Sequence, residues 1–180
     1  DDNLDILKYQ WDKVLIPYWK SFAQSAKDCG VSKIALELHP GFSVYNVDTL
    51  KRLREAVGPE IGVNFDPSHL LWQGMEPVAV IRAFAGMIYH VHAKDVCIDR
   101  YNTARNGVLD TKHYSDETHR SWIFRTIGYG NDAKYWKDIF SELRKTGYDG
   151  TISIEHEDSL INRLEGLQHA VDMVKSCAIF

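Results

Sequence analysis

The sequence predicts an α/β fold that forms the C-terminal half of an eight-stranded (β/α)8 barrel, or TIM barrel. Four short apolar runs typical of strands alternate with segments of helical periodicity, which indicates a parallel sheet with crossover helices. The runs end at four residues that can bind a metal ion, namely Glu37, Asp66, His92 and Glu155. Ligands at successive strand ends are how such a barrel forms an active site at its C-terminal face.

The number of strands is half of what a closed barrel needs. A (β/α)8 barrel typically takes about 250 residues, whereas this chain has 180 residues and starts inside a helical pattern. We therefore expect residues 1–180 to be one partial domain, with strands five to eight and the first half absent from this chain. A missing N-terminal half-barrel, a homo-oligomer or a second subunit would then complete the sheet, because bare sheet edges promote aggregation.

The first two strands are bounded by clear helix signals. Apolar residues from Leu4 to Ala26 recur at helical spacing, and Pro17 is expected to kink that helix. The run KIALEL follows as the first strand because it is apolar and short. A helix capped by Asn46 or Asp48 leads to Gly58, and IGVNF is the second strand.

The second part of the chain repeats this order after a longer interruption. Pro77 starts a helix, and MIYHVH is the third strand. Residues 95–133 are polar and irregular, and we interpret them as an insertion or lid, since loops of this length are usually functional. A helix near 133–146, the strand TISIEH and an amphipathic last helix complete the chain.

Composition restricts the class of protein. Lys and Arg number 21 and Asp and Glu 25, which gives a net charge of −4 and no basic stripe for nucleic acid. The 3 cysteines are widely spaced and odd in number, which indicates reduced thiols. No apolar run would span a membrane, and the polar start is unlike a signal peptide. We expect a cytoplasmic protein with neither nucleic acid nor membrane as partner.

Four motifs stand in order at these strand ends. They are E-x-H-P at Glu37, D-P-S-H at 66–69, H-V-H-A-K-D at 90–95 and S-I-E-H-E-D around Glu155. With them the chain resembles the xylose isomerase-like TIM-barrel superfamily, which has the AP endonuclease 2-type fold. More narrowly, it is similar to the sugar phosphate isomerase/epimerase group, which implies a small carbohydrate substrate.

The resemblance implies a divalent metal ion held by Glu37, Asp66, His92 and Glu155. It also implies that the two glutamates move protons and that His69 contacts substrate. Manganese is the first expectation for such a carboxylate-rich set, although magnesium, cobalt or zinc would fit. One departure concerns ketose 3-epimerases, which have E-x-x-N-R where this chain has Glu37-Leu-His-Pro-Gly. Their substrate contacts therefore do not carry over.

The remaining candidates rest on residue type alone. Lys94 and Arg125 could bind substrate oxygens or a phosphate, or be surface cations. The segment 128–130 is a G-x-G that could cradle phosphate, but a turn before a helix is preferred. We assign the metal ligand to His92 and place His90 on the opposite face of its strand.

Four functions compete. The first is an isomerase or epimerase that removes a proton beside a metal-bound carbonyl. The second is a lyase on 3-keto-glycosides, because the insertion is reminiscent of the larger (alpha) subunit of C-glycoside deglycosidases. An enzyme like endonuclease IV is disfavoured by the spacing of 110–113 and by the negative charge. A non-catalytic barrel is disfavoured because all four ligand types are present.

Overall fold

The computed structural model describes residues 2–179, and its centre is a four-stranded parallel sheet. The strands lie in the order β1-β2-β3-β6. In chain order, the six strands among the described residues are β1 Ile34–Glu37, β2 Ile61–Phe65, β3 Ile88–Ala93, β4 Asp95–Ile98, β5 Trp122–Arg125 and β6 Ile152–Ile154. The prediction of an α/β fold with four parallel strands is confirmed, and the four strands are consistent with part of a barrel.

Helices connect the strands and cover one face of the sheet. They are α1 Asp2–Tyr9, α2 Ile16–Asp28, α3 Val47–Val57, α4 Pro67–Leu71, α5 Pro77–Ala83, α6 Arg100–Asn106, α7 Ala133–Lys145 and α8 Arg163–Cys177. A π-helical stretch, Gln10–Leu15, joins α1 to α2 just before Pro17, which has no N–H for a regular helical hydrogen bond. The helix α3 begins at a capping box, in which Asn46 and Thr49 bond each other's backbone N–H groups.

The core lies between the sheet and these helices. Its fully buried side chains come from the strands and from α3, α5 and α7, and include Leu50, Leu53, Val63, Phe65, Ile81, Val91, Trp136 and Ile139. The other face of the sheet carries polar side chains instead, among them Asn64 and His92. In a closed barrel this face is the interior, so the polar groups lie at the place where chemistry is performed.

The segment predicted to be irregular has regular structure of its own. The strands β4 and β5 pair antiparallel, and α6 lies between them in the chain. A second, smaller apolar cluster is formed by Val96 of β4, Trp122 and Phe124 of β5, and Trp72 at the end of α4. The expectation of an irregular 95–133 segment was therefore wrong in part, because two strands of four residues carry too weak a period in the sequence.

Within residues 2–179, both edge strands of the parallel sheet, β1 and β6, have one unpaired edge. Each of β1 and β6 pairs with a single neighbour among the described strands. Large apolar side chains are exposed on the flanking helices and the loop before α8, namely Leu4, Ile6, Leu7, Tyr18, Phe22, Leu160, Leu164 and Leu167. No helix between residues 2 and 179 is long and apolar enough to cross a membrane. The three cysteines are free thiols.

Candidate active site

The four residues predicted to bind metal lie together at one end of the parallel sheet. Glu37 ends β1, Asp66 follows β2, His92 is near the end of β3, and Glu155 follows β6. Because the strands are parallel, their carboxyl ends share one edge, and the four side chains meet there. One ligand atom from each residue lies within 4.8 Å of the others.

His92 is at the middle of this cluster. Its Nδ1 lies 2.8 Å from Glu155 Oε2, 3.2 Å from Glu37 Oε1 and 3.7 Å from Asp66 Oδ2. Interactions with Asp66, Glu155 and Glu37 raise the pKa of His92 to about 11. In the absence of a cation, three carboxylates thus hold a proton on the ring, at the position where a divalent ion would replace it.

Asp66 provides the strongest indication that a cation fits. Its Oδ1 accepts hydrogen bonds from Ser68 N and Ser68 Oγ at 2.9 and 2.7 Å, which caps α4 and fixes the carboxylate. Its Oδ2 is buried without a hydrogen-bond partner, and His92 Nδ1 and His69 Nε2 are each 3.7 Å away. A buried carboxylate oxygen is costly unless it is paired, and a divalent cation would pair it. Three carboxylates and one imidazole suit magnesium, manganese or zinc.

The two glutamates of the cluster have different neighbours. Hydrogen bonds from His92 and Lys94 lower the pKa of Glu155 to about 2, against the effect of burial. A hydrogen bond from His92 also lowers the pKa of Glu37, with a smaller effect from His69. Glu155 is therefore held by a permanent ammonium group, whereas Glu37 faces only imidazoles.

Asn64, which the sequence did not single out, borders the other edge of the His92 ring. Its Nδ2 lies 3.1 Å from His92 Nε2, and its Oδ1 is buried without a partner. An outer contact of this kind fixes the orientation of a ligating imidazole. The sequence could have indicated this role, because Asn64 stands two residues before Asp66 and alternate strand residues share a face.

His69 lies next to the cluster, as expected for a residue near substrate. It is 2% exposed, and its Nε2 is 3.6 Å from Glu37 Oε1. Burial lowers the pKa of His69, so the ring is neutral at pH 7. Its centroid is 4.4 Å from that of His39, and both rings line the adjacent cavity.

Lys94 is buried on the same side of the cluster and is already paired. Its Nζ donates to Glu155 Oε1 at 2.7 Å and lies 2.6 Å from Glu157 Oε2. Although burial opposes the charged form, these hydrogen bonds raise the pKa of Lys94. Sequence reasoning missed Glu157, although its place two residues after Glu155 puts both acids on one side of an extended segment.

A cavity of about 420 Å³ opens over the cluster. The insertion supplies its outer wall, and strand-end residues supply its floor. Its lining residues are Glu37, His39, His69, Lys94, Tyr114, Ile123, Phe124, Glu155, Glu157 and Ser159. This volume, with an aromatic wall and a polar floor, suits a small polyhydroxylated molecule.

Two other candidates, Arg125 and the G-x-G segment at 128–130, are engaged with carboxylates elsewhere. Arg125 does not line the cavity, and its Nε donates to Asp158 Oδ2 at 3.1 Å. The backbone N–H groups of Gly128 and Gly130 donate to Asp95 Oδ2, so the loop 128–131 holds this carboxylate instead of a phosphate. This favours the turn over the phosphate cradle.

The placement of His90 on the opposite face from His92 was wrong. The two rings lie on one face with centroids 5.4 Å apart, because residues two apart on a strand share a face. His90 Nε2 lies 2.9 Å from Ser153 Oγ, deeper along the strands than the metal cluster. It is therefore a structural neighbour of the site and not a member of the ligand set.

Comparisons with known proteins identify relatives of about twice this length. The uncharacterized protein YfiH of Bacillus subtilis (strain 168) is 47% identical over 171 residues, which cover 95% of this chain and 55% of that protein. The inosose dehydratase of Geobacillus thermodenitrificans (strain NG80-2) is 27% identical over 149 residues, 82% of this chain and 47% of that protein. The chain thus spans about half the length of these relatives.

Solved structures with the same fold are also longer than this chain. The solved structure of D-psicose 3-epimerase with D-tagatose from Clostridium cellulolyticum H10 matches with a TM-score of 0.60 and 14% identity. The match covers 90% of this chain and 53% of that one. The family model for the Xylose isomerase-like TIM barrel matches residues 5–177, and the chain belongs to this family.

Proposed function

We propose that the chain carries the metal-binding half of an enzyme that removes a proton from the carbon beside a carbonyl group of a sugar or polyol derivative. The observation that carries the proposal is the set of four donor atoms within 4.8 Å of one another, beside a cavity that Glu37 and Glu155 line. Glu37, Asp66, His92 and Glu155 would hold one divalent cation, with manganese as our first choice. Such a cation polarises a carbonyl oxygen and acidifies the neighbouring C–H bond.

The side chains around the cation have separate roles in proton transfer and substrate binding. Glu37 is our choice for the base, because it borders the cavity and is not paired with a permanent cation. Lys94 keeps Glu155 ionised and in place. His69, neutral and 3.6 Å from Glu37, can hydrogen-bond a substrate hydroxyl without adding charge.

The outcome that we propose is elimination of water from a β-hydroxy ketone. The base takes the α-proton, the C–C bond becomes double, and the hydroxyl on the β-carbon leaves with a proton returned by the protonated carboxyl group. A sequence relative named inosose dehydratase, 27% identical over 82% of this chain, supports this choice. Loss of an aglycone from a 3-keto-glycoside would follow the same steps with a different leaving group.

A second candidate is isomerisation or epimerisation. The two glutamates extend from β1 and β6, the outer strands of the sheet, on either side of His92. Two acids on opposite sides of one substrate carbon can remove a proton from one face and return it to the other. Elimination requires only one of them.

We also propose that the chain works as one half of a complete barrel. The open edges of β1 and β6 and the exposed apolar side chains of α1 and α2 support this. Expressed alone, residues 1–180 should self-associate or aggregate in analytical ultracentrifugation. A stable monomer with cooperative unfolding would refute the proposal. A cytoplasmic location and a lack of nucleic-acid partners stay predictions from composition.

Solvent deuterium incorporation tests the chemistry. The full-length protein, loaded with Mn²⁺, is incubated in D₂O with ketoses, cyclic keto-polyols and 3-keto-glycosides. Dehydration should produce an unsaturated ketone, and epimerisation should place deuterium at the inverted carbon. A Glu37→Gln variant should lose at least 100-fold in rate, whereas the exposed Glu55→Gln should not change it. If Mn²⁺ is bound and no substrate gains deuterium or loses a leaving group, the proposal fails.

A further inference from the structure

We propose that this half of the cavity selects uncharged polyhydroxylated substrates over their phosphorylated or carboxylated forms, and that Glu157 sets this preference by neutralising Lys94. The inference rests on the proposed function, because it takes the cavity above the metal cluster as the substrate site. It adds the charge class of the substrate and a residue that determines it.

Lys94 has no donor left for an anionic substrate. An ammonium group has three N–H donors. Two of them point at carboxylates, with Nζ 2.7 Å from Glu155 Oε1 and 2.6 Å from Glu157 Oε2. The third side is covered by the ring of Phe124, whose centroid is 4.1 Å from Nζ. The side chain of Lys94 is 4% exposed, so water cannot replace these partners.

The other groups that could hold a phosphate are also occupied by carboxylates. Arg125 pairs with Asp158, whose side chain is fully buried. The amides of the loop 128–131 converge on Asp95, which is 1% exposed. Among the described residues that line the cavity, Lys94 alone carries a permanent positive charge. Lys94, Arg125 and the amides of the loop 128–131 are therefore all occupied by carboxylates of the chain itself.

The net charge of the site opposes an anion even with metal bound. Four carboxylates, those of Glu37, Asp66, Glu155 and Glu157, surround the cavity floor, against one ammonium and one divalent cation. The sum is negative. Glu157 is the member of this set that is not needed as a metal ligand, and its side chain is half exposed at the cavity rim. Its role is thus separable from metal binding.

Calorimetric binding to the full-length protein loaded with Mn²⁺ tests the inference. The probes are three ketoses (D-fructose, D-xylulose and D-ribulose), their terminal phosphate esters, a cyclic keto-polyol and inorganic phosphate. We expect wild type to bind its best uncharged probe at least tenfold more tightly than any anionic one. In Glu157→Gln this ratio should fall about tenfold, the effect of removing one charge a few ångströms from the ester in a partly solvated site.

Two variants serve as controls. Glu157→Asp keeps the charge and should keep the preference, whereas Glu55→Gln removes a charge from the exposed face of α3 and should change nothing. The metal is common to all variants, so any phosphate binding to Mn²⁺ itself cancels in the comparison.

Three results would overturn the inference: a wild type that prefers the phosphate esters, a ratio unchanged in Glu157→Gln, or no binding of any uncharged probe. Binding needs no turnover, so failure of the deuterium experiment with selectivity intact would remove the chemistry and leave the inference standing.

Discussion

The strand-end site and the insertion at 95–133 meet at one cavity but are built differently. Each metal-site residue projects from a strand end or the position just after it, and the backbone ladder of the parallel sheet fixes where it points. The insertion has one antiparallel pair, β4 and β5, and depends on side-chain contacts. Trp72 stacks on Trp122 at 4.5 Å, and Arg120 lies over both Tyr114 and Trp122.

This difference in construction separates metal binding from substrate selection. A sheet holds ligand atoms to within the tolerance that a metal ion demands, because its geometry does not depend on any one side chain. An insertion held by aromatic stacking can change its cavity-facing residues without disturbing those ligands. We infer that the strand ends determine the chemistry and that the insertion, with Tyr114, Ile123 and Phe124, helps to determine which substrate fits.

The largest expected effect is on the strand-end side, in Asp66→Asn. The amide keeps the acceptor that caps α4 but replaces the buried oxygen that has no partner with an NH₂ group. Affinity for Mn²⁺ should fall by at least about 100-fold, beyond the range seen when an outer contact is lost. Stability without metal should change little, because removing one of three crowded negative charges is offset by losing an attraction to protonated His92.

Calorimetric titration of Mn²⁺ into the apoprotein and urea unfolding measure both quantities. The exposed Glu55→Gln variant is the control. Unchanged metal affinity in Asp66→Asn would break the assignment of the site, and with it the contrast between the two regions.

The next effect is at the junction of the two regions, in Asp95→Ala. Asp95 accepts from Gly128 N, Gly130 N and Asn131 N, and so attaches the loop after β5 to the start of β4, which follows β3 directly. Its Oδ1 also accepts from Val96 N and Asn131 Nδ2. Loss of the carboxylate removes the acceptor of all five donors and should cost about 2–4 kcal/mol of unfolding free energy.

The control for Asp95→Ala is Asp99→Ala, which removes only the exposed cap of α6 and should cost about 1 kcal/mol. Urea denaturation of the full-length protein measures both. Equal losses in the two variants would show that the junction is no stronger than an ordinary helix cap.

The same contrast decides what the sequence could predict. The cluster of Glu37, Asp66, His92 and Glu155 was predictable because each residue lies at or just after the end of an apolar run, and the same relation recurs once per βα unit. The contacts of Glu157 and Phe124 with Lys94 were not predictable. They depend on how the insertion folds over Lys94, and no local sequence pattern encodes that fold. The strands β4 and β5 are distant in sequence and short, so their pairing is a tertiary effect. The error over His90 was one of strand geometry and not of missing information.

A smaller effect should follow from Trp122→Ala. Trp122 does not line the cavity, but it packs against two residues that do, with centroids 5.2 Å from Phe124 and 6.2 Å from Tyr114. Its removal should loosen that wall and weaken substrate binding about tenfold, while Mn²⁺ affinity changes less than about twofold. Tyr101→Ala, an exposed aromatic of α6, is the control. A parallel loss of metal affinity would contradict the independence of the two regions.

The smallest effect is the response of the insertion to acid, which depends on Asp110. Its Oδ2 accepts from Ser121 N and its Oδ1 from Lys112 N, which joins the two ends of the segment before β5. Burial opposes the charge, but hydrogen bonds from the backbone of Lys112 and Ser121 and from the Lys112 side chain lower the pKa of Asp110 from 3.8 to about 2.

The pKa of Asp110 is lower in the folded than in the unfolded protein. Ionised Asp110 therefore stabilises the insertion fully above about pH 4, the pKa of an unfolded aspartate. This stabilisation is lost as the pH falls through 2. The near-ultraviolet circular dichroism of the stacked Trp72 and Trp122 pair should therefore decline between pH 4 and 2. Asp110→Asn removes this titration, so its signal should be lower at pH 5 and change less across the window. Identical acid profiles in the two proteins would show that ionised Asp110 does not stabilise the insertion.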